Sequence, residues 1–230
     1  LLQSCLAIYQ FITQQVFMNK WLGMSQQLPQ TLGVSVVEAN GLRWLRSYGS
    51  LAHPNILAGF LAVCLIILII LLILSKKNRE KIILWLSLPI IITGLFFTFS
   101  KSAFLALFLG LIFLGIFVFS SQDKITKYIF SQIIIIFGVI ILVLGLIYQG
   151  PVLARLAGQE RLEQKSFTER QAYFDQARTI IEKNWLKGVG LGNYTLALYN
   201  QDQDNDPAWA YQPVHNVPLL VLSEIGMVGF

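Results

Sequence analysis

Long apolar runs alternate with short charged loops along this chain. Ile56 to Leu74 is 19 residues without a charge. At about 1.5 Å per residue, a helix of that length reaches about 28 Å, enough to cross the hydrocarbon core of a bilayer. Ile82–Phe99, Ala103–Phe119 and Ile129–Tyr148 are further runs of the same kind, and another opens at Val217. Pro89 inside the second run suits a membrane helix, because neighbouring helices can satisfy the carbonyl it frees. Residues 1 to about 18 are mostly apolar and read as the tail of an earlier span or as an interfacial helix. The chain opens without methionine and stops at Phe230 within an apolar stretch, so it reads as a fragment with helices beyond both ends.

The charged loops orient these spans. Residues 75–81 carry Lys76, Lys77, Arg79 and Lys81, and residues 120–128 carry Lys124 and Lys127. Both loops fall on one side if the spans alternate. The other side has only Lys101 in a three-residue turn, with Lys20, Arg43 and Arg46 spread over a longer segment. The excess of lysine and arginine in short loops marks the cytoplasmic side, so the loop 149–216 faces outward. The pattern therefore predicts an all-α, polytopic membrane helical bundle with a large, partly helical extracytoplasmic loop. Its divisions are an earlier span or interfacial helix with an outer segment (1–55), four transmembrane helices (56–148), the loop (149–216) and the start of a further span (217–230).

Composition agrees with a partly lipid solvent. Hydrophobic residues make up 55% of the chain and charged ones only 13%, where soluble domains carry about 25% charged residues. The net charge of +5 would suggest nucleic acid in a soluble protein. Here the surplus lies mostly beside apolar runs, so membrane orientation explains it and no nucleic-acid partner is expected. Cys5 and Cys64 read as two free thiols, and no Cys/His spacing suggests a metal. The four complete spans contain no charge at depth, which argues against an ion-coupled transporter.

Polar chemistry concentrates in the outer loop. Ser166–Trp185 reads as a helix, with Ser166 as N-cap and Glu169 at capping-box spacing. Phe167, Phe174, Ala177 and Ile181 are predicted on its apolar face, and Gly188, Gly190 and Gly192 end it. That glycine run follows no strand, so it is not a dinucleotide fingerprint. Asp202, Asp204 and Asp206 alternate like calcium ligands, but Pro207 and Pro213 occupy the positions that need glycine and glutamate. Asn193-Tyr194-Thr195 matches a glycosylation sequon by pattern only. Three residues stand out for chemistry. Lys101 sits at the tip of a helical hairpin, where it snorkels or meets a lipid phosphate. Arg170 carries a planar fork that can hold two phosphate oxygens. His215 lies at the outer boundary of a span and has the side chain best suited to general-base work near neutral pH. Glu224 follows nine residues later; on a helix it lies about 13 Å deeper and on the opposite face, so it should not orient His215.

Four stretches, taken in order, resemble the bacterial O-antigen ligase and O-antigen polymerase superfamily. They are Arg46-Ser47-Tyr48-Gly49-Ser50-Leu51-Ala52-His53-Pro54-Asn55-Ile56-Leu57-Ala58; Ser100-Lys101-Ser102-Ala103; Arg170-Gln171-Ala172-Tyr173 with Trp185-Leu186-Lys187-Gly188-Val189-Gly190-Leu191-Gly192-Asn193-Tyr194; and His215-Asn216 with Glu224-Ile225-Gly226-Met227-Val228-Gly229. The likeness covers roughly residues 40–230. It implies a membrane glycosyltransferase without cofactor or metal. Such an enzyme moves a glycan from undecaprenyl pyrophosphate to an acceptor hydroxyl at the outer face of the bacterial cytoplasmic membrane. The acceptor is a glycan, a lipid A-core or a protein. The resemblance makes His215 the general base and Arg170 a pyrophosphate ligand. Lys101 stands where many members have arginine, which keeps the charge but loses the fork. Arg46, His53, Asn216 and Glu224 are secondary candidates. Polymerase and protein O-oligosaccharyltransferase are alternatives within the superfamily. A flippase or transporter for a lipid-linked glycan is the alternative from another class, and a membrane scaffold with a partner-binding loop is a third.

Overall fold

The structure, a computed structural model, describes residues 1–157, 161–201, 211–214 and 216–230, and only the backbone of residues 161–167, 169 and 170. The chain is mostly helical and divides into two compact units. The first is Leu1–Ala157 and the second holds the last three helices.

The first unit is built on α2 (Pro54–Leu74), α3 (Asn78–Phe96), α4 (Lys101–Ser120) and α5 (Lys124–Ile147). The links between them are three or four residues long, so successive helices must run back along one another. Helix α2 packs on α3, α4 and α5, and a core of Leu57, Leu61, Leu65, Ile69, Leu72, Leu88, Ile92, Leu95 and Leu107 fills the space between them. The opposite face of α2 carries Ile56, Phe60, Val63, Ile67 and Leu71, all exposed. A helix that is apolar all round needs an apolar solvent outside. Helices α2, α4 and α5 are long and apolar enough to cross a membrane. Helix α3 does not meet the same measure, because its first turn holds Arg79, Glu80 and Lys81 and it stops at Phe96, before the Phe99 expected from the apolar run. Among the described residues three helices meet this measure of length and composition, and α3 is the fourth helix of the expected set.

A first helix, a hairpin and a short further helix gather at the end of this bundle that holds the α3–α4 turn. Helix α1 (Leu2–Thr13) packs on α3, with Ala7 in the core. A 3-10 turn at Lys20–Leu22 and a hairpin of β1 (Val36–Ala39) and β2 (Leu42–Leu45) follow. Asn40 and Gly41 both have positive φ, as a two-residue hairpin turn requires. Side chains of α1 and its C-cap then hold the end of β2 and the segment after it. Gln14 Oε1 accepts from the Leu45 amide, Gln10 Oε1 from the Tyr48 and Gly49 amides, and Gln3 Oε1 from the Ser50 amide. Gln3 and Gln10, seven residues apart, share a face of α1, and Gln14 is its left-handed C-cap. Phe11 stacks on Phe97 at 4.0 Å and meets Trp44, Phe99 and Tyr148, binding α1, β2, the α3–α4 turn and the end of α5 into one aromatic layer. Helix α6 (Gln149–Ala157) packs against β1 and α5.

The second unit contains α7 (Arg161–Asn184), α8 (Tyr194–Gln201) and α9 (Val217–Gly229). Ser166 lies inside α7, so the helix does not start at a Ser166 cap. Its buried stripe is also rotated from the expected one. Ala177 and Ile180 are buried with Tyr173 packed beside them, and Phe174 is 50% exposed. Tyr194 and Leu198 of α8, with Leu219 and Leu220 of α9, pack on that neighbouring stripe.

Candidate functional site

Three basic side chains converge on the α3–α4 turn. Three successive carbonyls of that turn are each held by a donor from another element. The Ser47 amide donates to Phe97 O at 3.0 Å, Arg46 Nε to Thr98 O at 2.7 Å, and Arg155 Nε to Phe99 O at 3.1 Å. Phe99 is left-handed at φ 48°, a conformation that costs a non-glycine residue about 1–2 kcal/mol. The bonds from Arg46 and Arg155, with the aromatic layer around Phe99, hold it there. The turn delivers Lys101 as the exposed first residue of α4. Lys101 lies within electrostatic reach of Arg155, and Arg155 within reach of Arg46.

Arg46 is a secondary candidate with a structural occupation. It is only 4% exposed. Besides Thr98, its guanidinium donates to Ser35 Oγ at 3.0 Å and Asn55 Oδ1 at 2.5 Å. Burial first, and then repulsion by Arg155, pushes its pKa down to about 9, so it keeps its proton at neutral pH. One buried cation thus ties the residue before β1, the α3–α4 turn and the start of α2 together through neutral oxygens. Removing it would leave buried acceptors without donors, which is the costly direction.

His53 caps α2. Its Nδ1 accepts from the Asn55 amide at 3.1 Å, which requires a neutral imidazole. Partial burial and the positive charge of Arg46 hold its pKa below the ordinary histidine value. Between the lowered folded pKa and the unfolded value of about 6.5, the unfolded chain binds more protons. The cap's contribution is therefore fully present above that unfolded value and is lost as pH falls through the folded one. Thermal unfolding in detergent should fall between pH 7.5 and pH 5 by more in the wild type than in His53→Asn, whose amide caps at both pH values. Equal falls would show that His53 does not cap as a neutral base.

In the second unit the glycine motif and the end of α9 form a backbone clamp. Val189 N donates to Ser223 O at 3.0 Å and Gly190 N to Glu224 O at 2.8 Å; Met227 N donates to Trp185 O at 2.9 Å and Val228 N to Leu186 O at 3.2 Å. Gly226, at φ 63° and ψ −173°, breaks α9 to permit this. The Val189 and Gly190 amides are therefore occupied by α9 carbonyls, and a phosphate cannot take them in this state. Asn216 caps α9, its Oδ1 accepting from the Leu219 amide at 3.2 Å. Glu224 is half-buried on the same helix, with its main-chain carbonyl in the clamp. Tyr194 Oη is buried without a hydrogen-bond partner among the described residues, and burial pushes its pKa up to about 12. His215, the Arg170 side chain and the Asp202–Asp206 stretch lie outside the described residues. Val214, buried against Tyr194 and Leu198, and Asn216 flank His215 in the chain.

The sequence model of the family described as O-Antigen ligase matches residues 86–230. That is more than half of the chain. The chain belongs to the O-antigen ligase family. The match begins within α3 and takes in Lys101, Arg155, Arg170, His215, Glu224 and the glycine clamp; Arg46 and His53 precede it. No curated protein and no solved structure matches the chain. Membership makes this a membrane protein of the ligase- and polymerase-like glycosyltransferase class, in keeping with its three span-length apolar helices. The resemblance to the O-antigen ligase and polymerase superfamily read from the four motifs agrees with the family match. Arg155 was missed by sequence reading. It stands in no motif, and its only local signal is a basic residue amid the apolar sequence Pro151-Val152-Leu153-Ala154.

Proposed function

We propose that this O-antigen ligase family member transfers a glycan from undecaprenyl pyrophosphate to an acceptor hydroxyl at the outer face of the bacterial cytoplasmic membrane. The observation that carries this reading is the gathering of Lys101, Arg155 and Arg46 at one end of an apolar helical bundle. Cations at the membrane boundary suit an anionic carrier lipid. In the reaction the acceptor oxygen attacks the anomeric carbon while the bond from that carbon to the phosphate oxygen breaks. His215 takes the hydroxyl proton. The pyrophosphate leaves on its lipid as an anion, and Lys101 and Arg170 stabilise the charge that develops there. Direct displacement inverts the anomeric configuration, and no carboxylate pair of the hydrolase kind is invoked.

The purified protein in lipid nanodiscs, given an undecaprenyl-pyrophosphate oligosaccharide and defined acceptors, is expected to form a new glycosidic bond and release undecaprenyl pyrophosphate. Product on a lipid A-core acceptor identifies a ligase. A longer lipid-linked glycan identifies a polymerase, and a glycopeptide a protein O-oligosaccharyltransferase. Movement of the donor across sealed vesicles with no new glycosidic bond overturns the reading in favour of a flippase.

A further inference from the structure

We propose that the outward face of α1 and the turn at Lys20–Leu22 form one membrane-anchoring surface, seated in the lipid headgroup layer at the end of the bundle that holds the α3–α4 turn. The proposal stands apart from the glycosyltransferase reading and needs only the membrane setting of the family.

Helix α1 carries its polarity the wrong way round for water. Ser4 and Gln10 are fully buried, and the Gln10 amide is spent on the Tyr48 and Gly49 backbone. Leu2, Tyr9 and Ile12 face outward, and with exposed Cys5 they recur at the three- and four-residue spacing of one helical stripe. An apolar stripe turned outward over a polar seam requires an apolar exterior. The partners of α1 set its depth. Gln3 bonds to Ser50, Gln10 to Tyr48 and Gly49, and Gln14 to Leu45. Those residues belong to the segment that leads into α2 at Pro54. The whole length of α1 is therefore held at the level where a span begins, which is where interfacial helices bury an apolar face.

The turn continues this stripe. Tyr9 meets Phe17 edge-on, with ring centroids 6.0 Å apart. Beyond it Met18 is 78% exposed and Trp21 is 86% exposed. The turn that presents them is braced. Asn19 and Met24 exchange two backbone hydrogen bonds at 2.9 Å, and Asn19 Oδ1 accepts from the Trp21 amide at 3.0 Å and the Leu22 amide at 3.1 Å. Val16 and Met24 are buried in a cluster with Leu45 and Tyr48. An indole suits the membrane boundary, because its body is apolar and its N–H serves the wet side. Lys20 Nζ lies 5.2 Å from the centroid of the Trp21 ring. A lysine at that depth keeps its stem in the apolar layer and its charge among lipid phosphates. Lys20 is the one charged side chain in residues 1–37, so no carboxylate there repels an anionic headgroup.

The test uses the full-length protein, with its own cysteines replaced, in nanodiscs of phosphatidylethanolamine and phosphatidylglycerol. A nitroxide is attached in turn at Ile12→Cys, Met18→Cys and Trp21→Cys. Phe113→Cys on the exposed face of α4 and Lys76→Cys in the link between α2 and α3 supply the acyl and aqueous references. Collisions are measured with oxygen, which concentrates in lipid, and with a nickel chelate, which stays in water. At all three positions the oxygen-to-nickel ratio is expected to lie several-fold above that at position 76 and below that at position 113. A label at any of the three that reads like position 76 places this surface in water. One shielded from both reagents places it against protein, a further helix of the chain or a partner. Either result overturns the proposal. Should Trp21→Cys fail to fold, the emission lost in Trp21→Phe is read instead. Lipids brominated high on their acyl chains should quench that component and aqueous iodide should not; the reverse overturns the proposal. None of these outcomes bears on glycan transfer, which is measured separately.

Discussion

Replacing His215 with alanine is expected to lower glycan transfer by about 10²- to 10⁴-fold, the usual contribution of a positioned general base. The loss should fall on kcat, with the donor KM little changed, because the histidine acts on the acceptor hydroxyl and the cations hold the donor. The acid limb of the pH–rate profile should disappear with the imidazole. Folding should be spared. The chain on either side is anchored by Val214 in the core of the second unit and by Asn216 at the α9 cap. Transfer rates in nanodiscs at saturating donor, measured from pH 5 to 9, decide the matter. Turnover near the wild-type rate would remove His215 from the mechanism and return the proton to water or to another group.

The largest stability effects are expected at the glycine clamp. A Cβ on Gly188 would overlap the main-chain carbonyl of Glu224, and one on Gly226 would overlap that of Leu186. Both residues have positive φ, 68° and 63°. Alanine at either site incurs about 1–2 kcal/mol for the left-handed backbone. It also forces the facing strands of backbone apart, and each hydrogen bond then lost is worth about 1 kcal/mol. Two such bonds bring the total to roughly 3–4 kcal/mol. Gly192 serves as a control, since it has φ 75° and open space around the added carbon; Gly192→Ala should show the conformational cost of about 1–2 kcal/mol alone. Thermal unfolding in detergent should rank Gly188→Ala and Gly226→Ala well below Gly192→Ala. Equal midpoints for all three would mean that the close backbone approach does not hold the unit together.

This clamp also explains why motifs legible in the sequence were not interpretable there. The Trp185–Tyr194 and Glu224–Gly229 stretches stood out as separate signatures. Nothing in their spacing indicated that they face each other, because the pairing joins backbones some forty residues apart. The same holds for Arg46. In sequence it is one basic residue before a span; in the fold its donors reach Ser35, Asn55 and Thr98. The hairpin is a different case. Asn40-Gly41 between two β-prone segments is a recognisable turn signal, and the two short strands it joins stand apart from the otherwise helical expectation.

The sequence by itself determined the helical membrane architecture, the positions of the apolar helices and the family. Each of these depends on local composition: about twenty apolar residues can cross a bilayer only as a helix or in a closed barrel, and charged links must stay at its faces. Only the tertiary structure decided that Lys101 shares its turn with Arg155 and Arg46, that α3 falls short of the other three helices, and that α9 breaks at Gly226. Those outcomes depend on side chains and carbonyls brought together from distant parts of the chain, and hydrophobic periodicity carries no information about which distant partners will meet.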